Sequence, residues 1–292
     1  MSILKKCLKS IKRTLNYALG KHCARKLERT FSVNSFSVVD PSSRAVVSLT
    51  SYGDRIKTVH LTIESIACGS VLPKRLILWI DEEETLRDLP SPLKRLQDCG
   101  LEILGCENYG SYTKFYPFVI SQDLSLPLVT ADDDIFYPKD WLKNLVVAHV
   151  KNPDAIYCYR ARRISFDSDG FAPYKSWRLI YKSDKPSALN FATGVSGVIY
   201  PPRFLRILKE AGDGFLQTCP KGDDIWLHKQ AIGAEFRIAV IEGMRKIIYI
   251  PGTQRIMLTS YNYHQDGNDL QIRATYEKAD TTLLREALAN GD

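Results

Sequence analysis

Four short apolar runs separated by stretches of helical spacing constrain this chain more than any other feature. Ala45-Val46-Val47-Ser48-Leu49-Thr50, Arg75-Leu76-Ile77-Leu78-Trp79-Ile80, Leu101 to Cys106 and Leu126 to Thr130 read as buried strands. Helical stretches from about Ile56 to Cys68, Glu83 to Asp98 and Tyr112 to Ile120 lie between them. Apolar strands in βαβ alternation predict an α/β fold with a mostly parallel sheet covered on both faces. Ligands of such sheets bind beyond the strand carboxyl ends. With 292 residues, 45% of them hydrophobic, the chain can fill such a core.

The second half is less regular. A helix from about Lys139 to Lys151 and a strand from Ala155 to Arg160 precede a Gly/Ser/Pro-spaced stretch carrying Phe166, Phe171, Tyr174 and Trp177, a composition suited to a substrate wall. Asn190 to Pro202 holds two glycines before an apolar strand, which suits either backbone in close approach to a ligand or a tight hairpin. Pro220-Lys221-Gly222-Asp223-Asp224 then opens an amphipathic helix.

The polar residues gather where the strands end: Thr50, Ser51, Tyr52 and Arg55 after the first, Asp81 after the second, Lys114 before the fourth, and Asp132-Asp133-Asp134 directly after it. Residues i and i+2 of an extended segment point the same way, so Asp132 and Asp134 can reach one divalent cation. Held by two carboxylates only, Mg²⁺ or Mn²⁺ keeps positions open for phosphate oxygens. An acidic turn capping the helix near Pro138 would use the same residues.

Charge is unevenly placed. Residues 1–30 hold nine Lys or Arg against Glu28 alone, leaving 31 basic and 32 acidic residues elsewhere, so the body of the fold offers no basic groove for nucleic acid. In the basic segment Leu4, Leu8, Ile11, Leu15 and Leu19 recur at helical steps with Lys5, Lys6, Lys9, Lys12 and Arg13 between them. This amphipathic helix over residues 1–31 is too interrupted by charge to span a bilayer. It is suited to lie on an anionic membrane surface from the cytoplasmic side, or to dock on the protein's own core. Seven cysteines without a C-x-x-C pair suggest buried thiols in a reducing compartment and no zinc site.

The ordered set D-D-D after the fourth strand, G-x-x-G-V-x-Y-P-P at Gly194 to Pro202, and D-D-I-W-L from Asp223 is more specific than any member alone. Over roughly residues 44–265 the chain resembles the GT-A class of nucleotide-sugar-dependent glycosyltransferases, particularly bacterial enzymes that build cell-surface polysaccharide such as lipopolysaccharide O-antigen or capsule. Residues 266–292 would form a C-terminal helix or tail. The resemblance implies a Rossmann-like GT-A domain, a UDP-sugar donor such as UDP-galactose or a related hexose, and a lipid-linked glycan acceptor. It implies a Mn²⁺ or Mg²⁺ ion on Asp132 and Asp134 with His264 as a further ligand, and Asp133 turned to ribose or solvent. Thr50, Ser51, Tyr52 and Arg55 would wall the base and ribose, Asp81 would accept the base N–H, and Lys114 would face the nucleotide. In inverting members an acidic pair at a helix N-terminus holds the general base, which assigns Asp224 that role and leaves Asp223 to orient the acceptor or cap the helix. The chain has Asp-Asp where many relatives have Glu-Asp, so either residue could be the base. The rivals are an inert sugar- or membrane-binding protein on the same scaffold and a Mg²⁺-dependent phosphatase, whose D-x-D normally ends the first core strand. G-x-G-x-x-G and P-loop motifs are absent.

Overall fold

The computed structural model describes residues 3–31, 36–183, 185–255 and 266–292, with backbone alone for residues 3–10, 12 and 255. Helix α1 (Ile3–Phe31) comes first, followed by β1 (Val46–Thr50), a 3-10 turn at Gly53–Lys57, α2 (Val59–Ala67) and β2 (Arg75–Ile80). Next are α3 (Glu83–Arg87), α4 (Ser91–Asp98), β3 (Leu101–Gly105), a 3-10 turn at Gly110–Lys114, α5 (Tyr116–Ser121) and β4 (Leu128–Thr130). The second half contains β5 (Ile135–Phe136), α6 (Trp141–Lys151), β6 (Ala155–Cys158), β7 (Ala161–Arg163), β8 (Phe166–Asp167), β9 (Gly170–Phe171) and β10 (Arg178–Ile180). It continues through β11 (Asn190–Ala192), β12 (Val198–Tyr200), α7 (Pro202–Ala211), α8 (Phe215–Thr218), α9 (Asp223–Gly233), β13 (Arg237–Val240), β14 (Ile248–Tyr249), α10 (Gly267–Thr275) and α11 (Lys278–Ala289).

Seven strands form the central sheet in the order β13-β6-β12-β4-β1-β2-β3. All run parallel except β12, which is antiparallel to β4 and β6. Period-two alternation sorts the side chains: Val46, Ile77 and Trp79 enter one core, while Val47, Leu49, Leu76, Leu78 and Ile80 enter the other. Both faces are therefore buried, as the apolar runs require. In register, Ser48 lies opposite Thr130, and the Ala131 N–H donates to the Ser48 carbonyl at 2.9 Å. The three aspartates thus leave the sheet beside Thr50 and Ser51.

Several elements differ from expectation for local reasons. The single helix expected over Glu83 to Asp98 is two, because Pro90 supplies no N–H and holds the chain extended before α4. The helix expected over Tyr112 to Ile120 begins as a 3-10 turn and becomes α-helical only at Tyr116, with Pro117 in its first turn. The Gly194–Ser196 segment is a 3-10 turn rather than a hairpin, joining β11 of a three-stranded sheet to β12 of the central one. Gly197 follows at φ +92, and a Cβ there would lie 2.6 Å from the Trp141 ring, so only glycine fits. Residues 266–292, expected as a C-terminal helix or tail, form α10 and α11 and give Ile272, Tyr276 and Leu284 to the same core as the sheet.

The N-terminal helix is seated by a different face from its apolar stripe. Asn16 donates from Nδ2 to the Ile247 carbonyl at 2.7 Å and accepts the Tyr249 N–H at 3.1 Å, while Leu27 and Phe31 pack with Leu61, Phe136 and Ile250. Gly20 lies against β14, where a Cβ would come 2.5 Å from the Tyr249 carbonyl oxygen. Ile11, Leu15 and Leu19 remain 55%, 58% and 50% exposed, roughly a third of a turn round the helix from the seat. No helix among the described residues is long and apolar enough to cross a membrane. Gly20→Val is expected to unseat the helix. Amides of residues 16–31 should lose hydrogen-exchange protection by at least about tenfold while β1 and β2 keep theirs, and unchanged protection would show that the close approach at Gly20 is not needed.

Candidate active site

The carboxyl ends of β1, β2 and β4, together with α9 and the β6–β7 segment, enclose a cleft of about 550 Å³. Thr50, Tyr52, Arg55, Asp81, Lys114, Asp132, Asp133, Asp134, Asp223 and Asp224 all line it. Ser51 sits behind them, fully buried. His264 lies outside the described residues.

Lys114 is placed by the sheet itself. Trp79 donates from Nε1 to Ser48 Oγ at 2.9 Å, and that hydroxyl donates to the Lys114 carbonyl at 2.7 Å. The side chain then spans the cleft floor, with Nζ 2.8 Å from Asp223 and 3.5 Å from Asp132. Burial opposes its charge, but Asp223, Asp132 and Asp224 together outweigh burial and hold the ammonium well above its ordinary pKa. One cation therefore joins the D-x-D segment to the acidic pair.

The three aspartates divide their tasks. Asp133 turns inward, not toward solvent: it accepts from Ser51 Oγ at 2.6 Å and Arg55 Nη1 at 2.7 Å. Ser51 and Arg55 thus support the acidic loop. Asp132 and Asp134 face the cleft. Asp134 accepts from Gln254 Nε2 at 2.8 Å and lies 3.2 Å from Arg55 Nη2. Burial, then the nearby charge of Asp132, push its carboxyl up to about 7, against the pull of Arg55. Two cleft-facing carboxylates two residues apart, with Asp134 already raised by its neighbour, form a donor pair suited to a hard divalent cation. Among the described residues no group of three His, Cys, Asp or Glu completes such a site.

Asp223 and Asp224 form the first turn of α9, but neither caps it, since the N-cap is Gly222. Asp223 is buried against Lys114, whereas Asp224 Oδ1 accepts the Gly194 N–H at 3.0 Å. A helix N-terminus alone would lower the Asp224 pKa. Burial and the charge of Asp223 prevail, and Lys114 offsets them only in part, leaving Asp224 at about 7. A Cβ on Gly194 would stand 2.9 Å from Lys114 Nζ and 3.2 Å from Asp224 Oδ1. The first glycine of the G-x-x-G segment is thus a contact between its own backbone and the acidic pair. Asp81 does not cap the next helix, whose N-cap is Glu82. Tyr52, 43% exposed at the rim, is open for stacking.

Arg160, Arg162, Tyr249, Gln254 and Asn268 also line the cleft and were not singled out by sequence, while Tyr174, one of the aromatics expected in a substrate wall, lines it as well. The i, i+2 arginines after a strand were a readable signal; Gln254 had none, because it reaches Asp134 across 120 residues.

No family model matches the chain, and no curated protein matches it either. Solved structures do. The mannosyltransferase PcManGT from Pyrobaculum calidifontis, in complex with GDP-Man and Mn²⁺, is 13% identical, with 95% of this chain and 78% of that one covered at a TM-score of 0.52. Residues 1–349 of S. aureus TarS are 15% identical, with 84% and 71% covered at a TM-score of 0.50. The fold is GT-A-like: α/β, with a mostly parallel seven-stranded sheet.

A raised folded-state pKa makes a carboxyl's contribution to stability largest at low pH and removes it as pH rises through the folded value. For Asp224 the window runs from the unfolded value of about 4 to about 7. In metal-free protein, urea denaturation should show Asp224→Asn gaining stability relative to wild type as pH rises through this window, then holding a constant difference. A pH-independent difference would place the Asp224 carboxyl in its ordinary range.

Proposed function

We propose that this protein is a metal-dependent glycosyltransferase. It moves a sugar from a nucleoside-diphospho-sugar, with UDP-sugars the first choice, to a hydroxyl of a growing cell-surface glycan carried on a lipid. The observation that carries this reading is the Lys114 ammonium lying between Asp132 and Asp223. It puts a phosphate-facing carboxylate pair and a base-and-acceptor pair in one cleft at the mouth of a GT-A-like sheet. The Mn²⁺ and GDP-Man of PcManGT support a divalent ion and a nucleotide-sugar donor.

Asp132 and Asp134 would hold the ion, with His264 a candidate to complete its shell. Bound there, the ion supplies positive charge against the negative charge growing on the departing diphosphate. Arg55 lies 2.7 Å from Asp133 and 3.2 Å from Asp134, so it would leave the Asp134 carboxylate to the ion and hold Asp133 in place. Thr50 and Tyr52 wall the base and ribose, and Asp81 accepts a base N–H. Asp224 takes the proton of the attacking hydroxyl, and its raised pKa makes it a stronger base than an ordinary aspartate. Held by the Gly194 N–H, it needs no rearrangement to receive that proton. A base opposite the leaving group gives inversion at the anomeric carbon.

Helix α1 would carry the protein to the membrane. Ile11, Leu15 and Leu19 are exposed, and the 3.6-residue period puts Lys26 and Arg29 on the same side. Basic residues beside an anionic leaflet are worth about 1 kcal/mol each, and apolar burial adds to this. The acceptor's lipid anchor and the helix then share one surface on the cytoplasmic face.

A panel of UDP-, GDP- and dTDP-sugars with Mn²⁺, read as nucleotide release, tests the activity; no release from any donor, with or without a lipid-linked glycan acceptor, would refute it. With the active donor, Asp134→Asn should abolish metal-dependent donor binding. Asp224→Asn should cut turnover by about 10²–10⁴-fold with donor affinity kept. A fully active Asp224→Asn protein would remove this residue as base.

The membrane reading has its own test. Because residues 16–31 seat the helix on the body, the informative change is Ile11→Asp with Leu15→Asp and Leu19→Asp rather than deletion. This triple variant should leave phosphatidylserine vesicles while its fold is unchanged by circular dichroism. Retained vesicle binding would defeat the anchor.

A further inference from the structure

Four cations line the cleft: Arg55, Lys114, Arg160 and Arg162. Three are committed. Arg55 pairs with Asp133 and Asp134, and Lys114 with Asp132 and Asp223. Arg162 is buried, donates from Nη1 to the Trp177 carbonyl at 2.8 Å and lies 4.7 Å from the Tyr174 ring centroid. Among the described residues Arg160 has no ion pair, and its Nε, like that of Arg162, is buried without a hydrogen-bond partner; of the two, only Arg162 has its guanidinium held at Nη1 by a backbone carbonyl. A desolvated guanidinium nitrogen without an acceptor is costly, and an oxyanion removes that cost.

The position of Arg160 fixes which ligand can supply it. It stands between β6 and β7, and its carbonyl accepts from the Thr193 N–H at 3.0 Å and from Thr193 Oγ1 at 3.3 Å. The next residue, Gly194, donates its N–H to Asp224 at 3.0 Å. One dipeptide therefore ties Arg160 to the base. The nucleotide wall proposed above, Thr50 and Tyr52, belongs instead to the β1 side. Arg162 lines the same cleft as Arg160, and Tyr174 lies on that side with it.

Resting on the transferase reading above, we propose that Arg160, backed by Arg162, is an oxyanion subsite for the acceptor, which presents a phosphate or carboxylate beside its attacking hydroxyl. The planar guanidinium pairs with either group through parallel N–H···O bonds and so orients the acceptor as well as attracting it. Neutral glycans would bind without this alignment.

The test uses full-length protein saturated with Mn²⁺ and whichever of UDP, GDP or dTDP binds, so that the donor side is filled. Calorimetric titration with inorganic phosphate, and separately with acetate, should then show a site in wild type; the stronger of the two identifies the anion. Arg160→Gln should weaken that site at least tenfold, Arg160→Lys should keep part of it, and nucleotide affinity should stay within twofold in both. Loss of nucleotide affinity with anion binding kept would assign Arg160 to the donor diphosphate and overturn the proposal. So would the absence of any anion site in nucleotide-loaded wild type. If wild type binds no nucleoside diphosphate at all, it is the transferase reading that fails, and titrating nucleotide-free protein still decides whether Arg160 holds an anion.

Discussion

The cleft depends on one buried ammonium. Lys114 lies among carboxylates that would repel one another without it, 2.8 Å from Asp223 and 3.5 Å from Asp132. Its own position comes from the core, through Trp79 and Ser48 to its backbone carbonyl. Packing of the central sheet therefore sets the distance between the D-x-D segment and helix α9. The lysine is a structural counterion first, and any contact with a nucleotide is made from that fixed place. Removing one partner from such a buried network leaves the others unpaired, so it stands or falls as a unit.

The same network separates carboxylates by function. Asp133 and Asp223 are matched to Arg55 and Lys114 by close ion pairs. Burial raises the Asp133 carboxyl as well, against the pull of Arg55, and Asp134 and Asp224 are pushed up to about 7, each first by burial and then by a neighbouring aspartate. Carboxyls strongly perturbed by burial and a neighbouring charge inside a cleft are candidates for acid–base and ligand work. Here the adjacent members of D-D-D and of D-D serve opposite purposes, one anchoring and one exposed to chemistry.

The sheet was legible because strand burial on both faces leaves continuous apolar runs. The cleft was legible because such sheets bind ligands at one edge. Eight of the cleft residues could thus be gathered from strand ends, while Asp223 and Asp224, at a helix N-terminus, came from the resemblance. The role of Asp133 was not legible, since which of three consecutive aspartates turns inward depends on Ser51 and Arg55 finding it in space. Nor was the direction of β12, because apolar runs carry no sign of parallel or antiparallel pairing. The N-terminal helix misled in part. Its leucine stripe marked an apolar face, yet the seat is made by Asn16, Gly20, Leu27 and Phe31, whose mixed polarity gives no periodic signal.

That seat reaches further than anchoring. Asn16 holds β14, β14 pairs with β5 directly after Asp134, the Ile250 N–H donates to the Asp134 carbonyl at 2.8 Å, and Gln254 grips its carboxylate from the same segment. Helix and carboxylate are thus two ends of one short hydrogen-bonded relay. Whatever steadies the helix from outside also steadies Asp134, and by thermodynamic reciprocity whatever binds Asp134 tightens the helix in its cradle.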